Sequence, residues 1–228
     1  MKKRNYVKSI FNKLSLIYLK FKVYNLNKMI SGGNGKIIMN NPFLKVTIIL
    51  EKDARFILNG NLKIINHIGG EAPVFIYLSE NSCLNIKGDF LIGNGVRIYL
   101  HKNSKLTIGG KRVESESGIT ENSKIMVFSS IDIGEDFLCA WNTFISDSDW
   151  HTVAKNLVTE DHHKDIVIDD HVWIGPDCNI LKGTKIGKNS IIASKTILSN
   201  KSYPQNSLIA GAPARIIESE VHWSRDIR

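Results

Sequence analysis

The sequence predicts an all-β fold: a parallel β-solenoid of triangular coils, preceded by a short helical arm and interrupted by one extruded loop. Three observations predict it. A strict period of six runs from Ile168, that period loses phase between Ile145 and Ile168, and the basic residues concentrate before residue 50.

From Ile168 the chain reads IDDHVW, IGPDCN, ILKGTK, IGKNSI, IASKTI and LSNKSY. An aliphatic residue opens each block (Ile168, Ile174, Ile180, Ile186, Ile192, Leu198). A small or β-branched residue stands fifth (Val172, Cys178, Thr184, Ser190, Thr196, Ser202). A repeat sustained this long outranks single-residue signals. An α-helix turns about 600° in six residues, so it would scatter the block leaders around its surface. Extended segments bent every six residues point every leader inward and leave the small fifth residue at the corner. Three blocks close a triangle, and triangles stack at about 4.8 Å. Residues 168–203 therefore predict two full coils.

The same phase opens upstream at Ile133, Cys139 and Ile145 (IGEDFL, CAWNTF, ISDSDW). The step from Ile145 to Ile168 is not a multiple of six, which predicts a loop over residues 151–165. Residues 31–130 loosen into strand-and-turn units with turn glycines at Gly60, Gly88 and Gly110, read as irregular coils. Residues 131–217 form the regular region, and 218–228 a tail.

Ten of the 30 Lys/Arg and none of the 22 Asp/Glu lie in residues 1–50, leaving 20 bases against 22 acids beyond them. The basicity belongs to an arm over residues 1–30, and a general nucleic-acid surface is not expected. Lys20 and Lys22 interrupt the arm's apolar run LSLIYL, no small-residue cleavage site follows, and the run is too short to span a bilayer. The arm is read either as a helix covering the open end of the solenoid or as one lying on an anionic membrane surface. Three scattered cysteines fit a reducing compartment, so a cytoplasmic protein is expected.

The hexads, the stretch DHVWIGPDCNILKG and the ending AGAPA (Ala210 to Ala214) resemble the left-handed parallel β-helix acyltransferases of the hexapeptide-repeat class. Within it they are similar to maltose and galactoside O-acetyltransferases and to capsule and O-antigen O-acetyltransferases. The resemblance covers about residues 131–217. It implies acetyl-CoA as donor, a saccharide hydroxyl as acceptor, a homotrimer with active sites between subunits, and a histidine at the start of the extruded loop as general base. By position that is His151.

Acetyl transfer to a hydroxyl needs a proton acceptor, a donor to the thioester oxyanion and a site for the phosphates of CoA. Imidazole titrates near neutrality and suits the first task. In extended chain Asp149 shares a face with His151 and is the candidate to orient it. Trp173 is read as trimer packing or as a wall of the site, with its indole N–H a candidate oxyanion donor. Pro176 follows Trp173–Gly175 where the galactoside enzymes use a backbone N–H, and proline has none. The resemblance sets the pantetheine arm against Gly175, Ala193 and Ser194. Lys182, Lys195, Lys201 and Arg215 are candidate cations for the phosphates. Trp141, Asn142 and Trp150 are candidate acceptor contacts. His162 and His163 are read as solvated loop or as saccharide contacts between subunits.

Three other readings compete. An antibiotic or other small hydroxylated molecule can replace the sugar. A γ-type carbonic anhydrase would use His151, His162 and His163 as metal ligands, but adjacent residues of an extended segment point apart, so no metal is expected. A non-catalytic scaffold would show no affinity for CoA.

Overall fold

The computed structural model describes residues 2–111, 117–155 and 158–225. After one helix, α1 (Lys2–Asn27), the chain is made of short strands stacked into three sheets. The first sheet runs from Ile37–Met39 to Ser207–Ala210, the second from Val46–Leu50 to Ile197–Leu198, and the third from Arg55–Leu58 to Ser202–Tyr203. The chain visits them in rotation, so each circuit is one coil and the sheets are the three faces of a prism. Among the described residues, two strand pairings are antiparallel. Arg215–Ser219 folds back on Ser207–Ala210, and Val153–Lys155 forms a hairpin with Val158–Glu160.

Register partners on the second face measure the coils. Phe75 pairs with Arg97, Lys124 with Phe144 and Asn179 with Ile197, steps of 22, 20 and 18 residues. The last is three hexads. Between Phe144 and Asn179 the step is 35 residues, and the surplus is the loop that leaves after Phe144–Ser146 and returns at Ile166–Ile168.

The block leaders fill the interior: Ile168, Ile174, Ile180, Ile186, Ile192 and Leu198 are all buried. Each such side chain taken from water contributes about 1.5–3 kcal/mol. Corners bend through the left-handed region, which Asn tolerates best, and Asn103, Asn122, Asn142, Asn189 and Asn200 all sit there. The turn glycines stack on the edge between the third and first faces. A Cβ on Gly60 would stand 2.1 Å from the Gly88 carbonyl carbon, and one on Gly110 2.5 Å from the same atom, so this column admits no side chain.

The sixth block departs from the expected phase. Ser202 is exposed and Tyr203 turns inward, pairing with Ile186. One turn is a residue shorter than the hexad, and the phenol closes the end of the prism where no further coil covers it. At the other end α1 packs Leu19, Val23 and Leu26 on the core, so the arm does cover the first coil. Asn27 fastens it, accepting from the Ile37 N–H and donating to the Ile37 carbonyl.

Candidate active site

The loop leaves the edge between the second and third faces, and buried polar groups hold its mouth. Asp147, fully buried, accepts the N–H groups of Phe128 (2.6 Å) and Ser129 (2.7 Å) from the coil below. Burial pushes its carboxyl above the usual carboxylate range, against the downward pull of those bonds. Across the mouth the Asp149 N–H donates to the His162 carbonyl (2.8 Å) and the Lys164 N–H to the Asp147 carbonyl (2.9 Å).

Trp150 adopts φ +64°, a conformation that costs a bulky residue about 1 kcal/mol or more. Ser146 and Ser148 hold it there. The indole N–H donates to the Ser146 hydroxyl and the backbone N–H to the Ser148 hydroxyl, both at 3.0 Å. Its ring lies against Tyr99, His101 and Phe128 at centroid distances of 5.7, 6.2 and 5.8 Å. That twist breaks the alternation expected from Asp149 to His151. Asp149 therefore does not orient His151; its carboxylate pairs with Lys182 at 2.6 Å.

The four histidines of this span separate cleanly. His162 sets its ring on Phe128 (4.6 Å) with Nδ1 3.3 Å from the Ser148 hydroxyl. His163 also packs on Phe128 (5.1 Å), and its Nδ1 is buried without a hydrogen-bond partner among the described residues. Both are half-buried rather than solvated. His171 stacks on Trp223 (4.2 Å) and hydrogen-bonds its carbonyl. His151 alone of the four has an exposed ring with no hydrogen bond among the described residues.

The other expected site residues fall into separate groups. Trp141, Asn142, Gly175, Ala193, Ser194 and Lys195 line the edge between the first and second faces, coil on coil. Asn142 uses its amide on Asp177 (3.1 Å). Trp173 points outward from the first face, 38% exposed, with Trp223 of the tail against it at 5.9 Å. Lys201 and Arg215 share a groove at the last coil with Ile197, Tyr203, Pro213 and Ala214. Two cations beside an apolar wall suit a nucleotide bearing phosphates. Lys182 belongs elsewhere: besides Asp149 it donates to the Asp161 carbonyl (2.8 Å), so it ties the loop down rather than waiting for a phosphate.

His151 thus rises from one edge of the prism, while Trp173 and the Gly175–Ser194 column lie on the far face and edge. One copy does not bring them together. Two of the three thiols are buried: burial pushes Cys139 up to about 12 and raises Cys178 as well, which makes both poor acyl carriers. Ser146, Ser148 and the bed of His101 and Phe128 give no signal in the sequence. Their contacts join adjacent coils, and a one-dimensional pattern carries no mark of them.

The three-sided parallel solenoid of hexads is broken once, by a loop at whose start His151 is exposed. The family model described as Bacterial transferase hexapeptide (six repeats) matches residues 165–200. Polysialic acid O-acetyltransferase of Neisseria meningitidis is 30% identical over 192 residues, 82% of this chain and 87% of that protein. An uncharacterized 24.8 kDa protein in the cps region of Klebsiella pneumoniae is 27% identical over 192 residues, 82% of each chain. The putative lipopolysaccharide biosynthesis O-acetyl transferase WbbJ of Escherichia coli K12 is 25% identical over 162 residues, 65% of this chain and 78% of that one. The chain belongs to the hexapeptide-repeat O-acetyltransferases, and its solenoid is their left-handed parallel β-helix.

Proposed function

We propose that the protein transfers the acetyl group of acetyl-CoA to a hydroxyl of a surface glycan, of capsule or O-antigen type, or of its precursor, with His151 as general base. One observation carries the assignment: of the four histidines around the loop, His151 alone keeps an exposed ring with no hydrogen bond among the described residues. The relatives named for polysialic acid and lipopolysaccharide support a glycan acceptor.

Acetyl-CoA supplies an activated acyl group. The His151 imidazole takes the proton of the acceptor hydroxyl as its oxygen bonds to the thioester carbon. The same imidazole returns that proton to the sulfur when the C–S bond breaks, giving an acetyl ester and free CoA. No nucleophilic side chain intervenes, in keeping with the burial of Cys139 and Cys178. Lys201 and Arg215 hold the phosphates, and Gly175, Ala193 and Ser194 border the pantetheine arm.

The division of these residues between two edges favours a homotrimer in which His151 of one copy faces Trp173 and the Gly175–Ser194 column of the next. With no N–H at Pro176, the donor to the oxyanion is the Trp173 indole or a neighbouring backbone amide. Among the described residues no helix is long and apolar enough to cross a membrane. The basic residues 1–30 support a peripheral position at the inner face of the membrane, where such glycans are assembled. Acetyl-CoA turnover against sialic-acid oligomers, galactosides and O-antigen fragments tests the reading. Turnover with none of them, alongside no binding of CoA, would leave a scaffold.

A further inference from the structure

We propose that α1 is an interfacial foot: its outer face lies in the headgroup layer of an anionic bilayer and holds the catalytic loop at a fixed height above it. Leu14, Ile17, Phe21 and Tyr24 are 60%, 63%, 63% and 60% exposed. Their spacing of three, four and three residues makes one continuous stripe. Leu19, Val23 and Leu26, on the opposite side, pack on the core. A helix that only capped the solenoid would need one apolar side, and this one has two. A contiguous exposed apolar surface marks a contact.

Charge selects the occupant. Exposed Lys13 and Lys20 border the stripe, the Lys28 ammonium lies 4.4 Å from the centre of the Tyr24 ring, and residues 1–50 contain ten bases and no acid. A second copy of α1 would bring the same positive charge against it. Anionic lipid headgroups complement it, and lysines beside an apolar face reach them by extending along it.

The fold then sets a reach. His151 follows Phe144–Ser146, four coil steps along the second face from Val46–Leu50, about 19 Å at about 4.8 Å per step. The helix layer brings the total to roughly 25–30 Å. A consequence resting on the acetyltransferase reading is that a membrane-anchored acceptor meets His151 several sugar units from its lipid, not at the lipid-proximal sugar.

The test is sedimentation of the full chain with phosphatidylcholine vesicles, with and without one third phosphatidylglycerol. Wild type is expected to pellet with the anionic vesicles only, and Ile17→Ser combined with Phe21→Ser to bind at least tenfold more weakly. In a second measurement brominated lipids quench a Phe21→Trp variant but not the native Trp141, Trp150, Trp173 and Trp223. Wild type that ignores anionic vesicles, or a double variant that binds them undiminished, overturns the proposal. So does a double variant whose assembly mass falls by light scattering while wild type ignores lipid, since the stripe would then join copies of the chain. Acetyl transfer to a soluble sugar should be unchanged in the double variant, so lipid binding and catalysis fail independently.

Discussion

Lys182 reaches across the mouth of the loop and pairs with Asp149 at 2.6 Å, while donating a second bond to the Asp161 carbonyl at 2.8 Å. Both ends of the loop are thereby anchored to the coil that follows it, and His151 stands two residues from the anchored carboxylate.

Lys182→Met should therefore act on the loop more than on stability. Asp149 is 43% exposed, and a pair of this kind contributes about 0.2–1 kcal/mol. We expect thermal stability within a few degrees of wild type and kcat lower by about tenfold, a loss of about 1.4 kcal/mol in transition-state stabilisation. The KM for acetyl-CoA should stay put. A selective rise in that KM would return Lys182 to the phosphate site.

Asp147→Ala should be far more damaging to the fold. It leaves the half-buried N–H groups of Phe128 and Ser129 without acceptors, at about 1–3 kcal/mol each. Urea unfolding should show a loss of about 2–5 kcal/mol. Unchanged stability would mean that other groups satisfy these amides.

The same residue predicts a pH dependence. The folded Asp147 carboxyl sits above its ordinary value of 3.8, with burial the largest cause, so the native state holds this proton more tightly than the unfolded chain. Its contribution to stability is present below 3.8 and is lost as pH rises through the raised native value. Unfolding free energies of wild type and Asp147→Asn, compared at acid and neutral pH, should show wild type gaining relative to the variant on the acid side. The opposite slope would mean that its N–H bonds outweigh burial.

Lys201→Ala and Arg215→Ala should each raise the KM for acetyl-CoA by roughly tenfold, as loss of about 1.4 kcal/mol of charge-assisted bonding implies. Neither should alter turnover of acetyl-pantetheine, which lacks the nucleotide. Equal effects on both donors would remove these residues from the phosphate site.

Much of the fold was legible because a period of six is a geometric statement. It gave the inward aliphatics, the parallel coils and, by its loss of phase after Ile145, the place where the loop leaves. It failed where one turn shortens, so Tyr203 lay hidden as the sixth residue of a block when it is the leader of the next. The site was less legible because its geometry depends on contacts between coils. Asp149 and His151 share a face in an ideal strand, but the left-handed turn at Trp150 separates them and Lys182, 33 residues on, claims the carboxylate. Trp223 meets His171 across 52 residues with no local signal at either end. The outer stripe of α1 was masked by its inner one, since a helix apolar on two opposite sides looks only weakly amphipathic.

The role of His151 is tested by acetyl-CoA turnover, on whichever glycan is accepted, by wild type, His151→Ala and His162→Ala side by side. His151→Ala should lower kcat by about 10²–10⁴ while binding of acetyl-CoA persists, and His162→Ala should cost less than about tenfold. Full activity in His151→Ala would contradict that role.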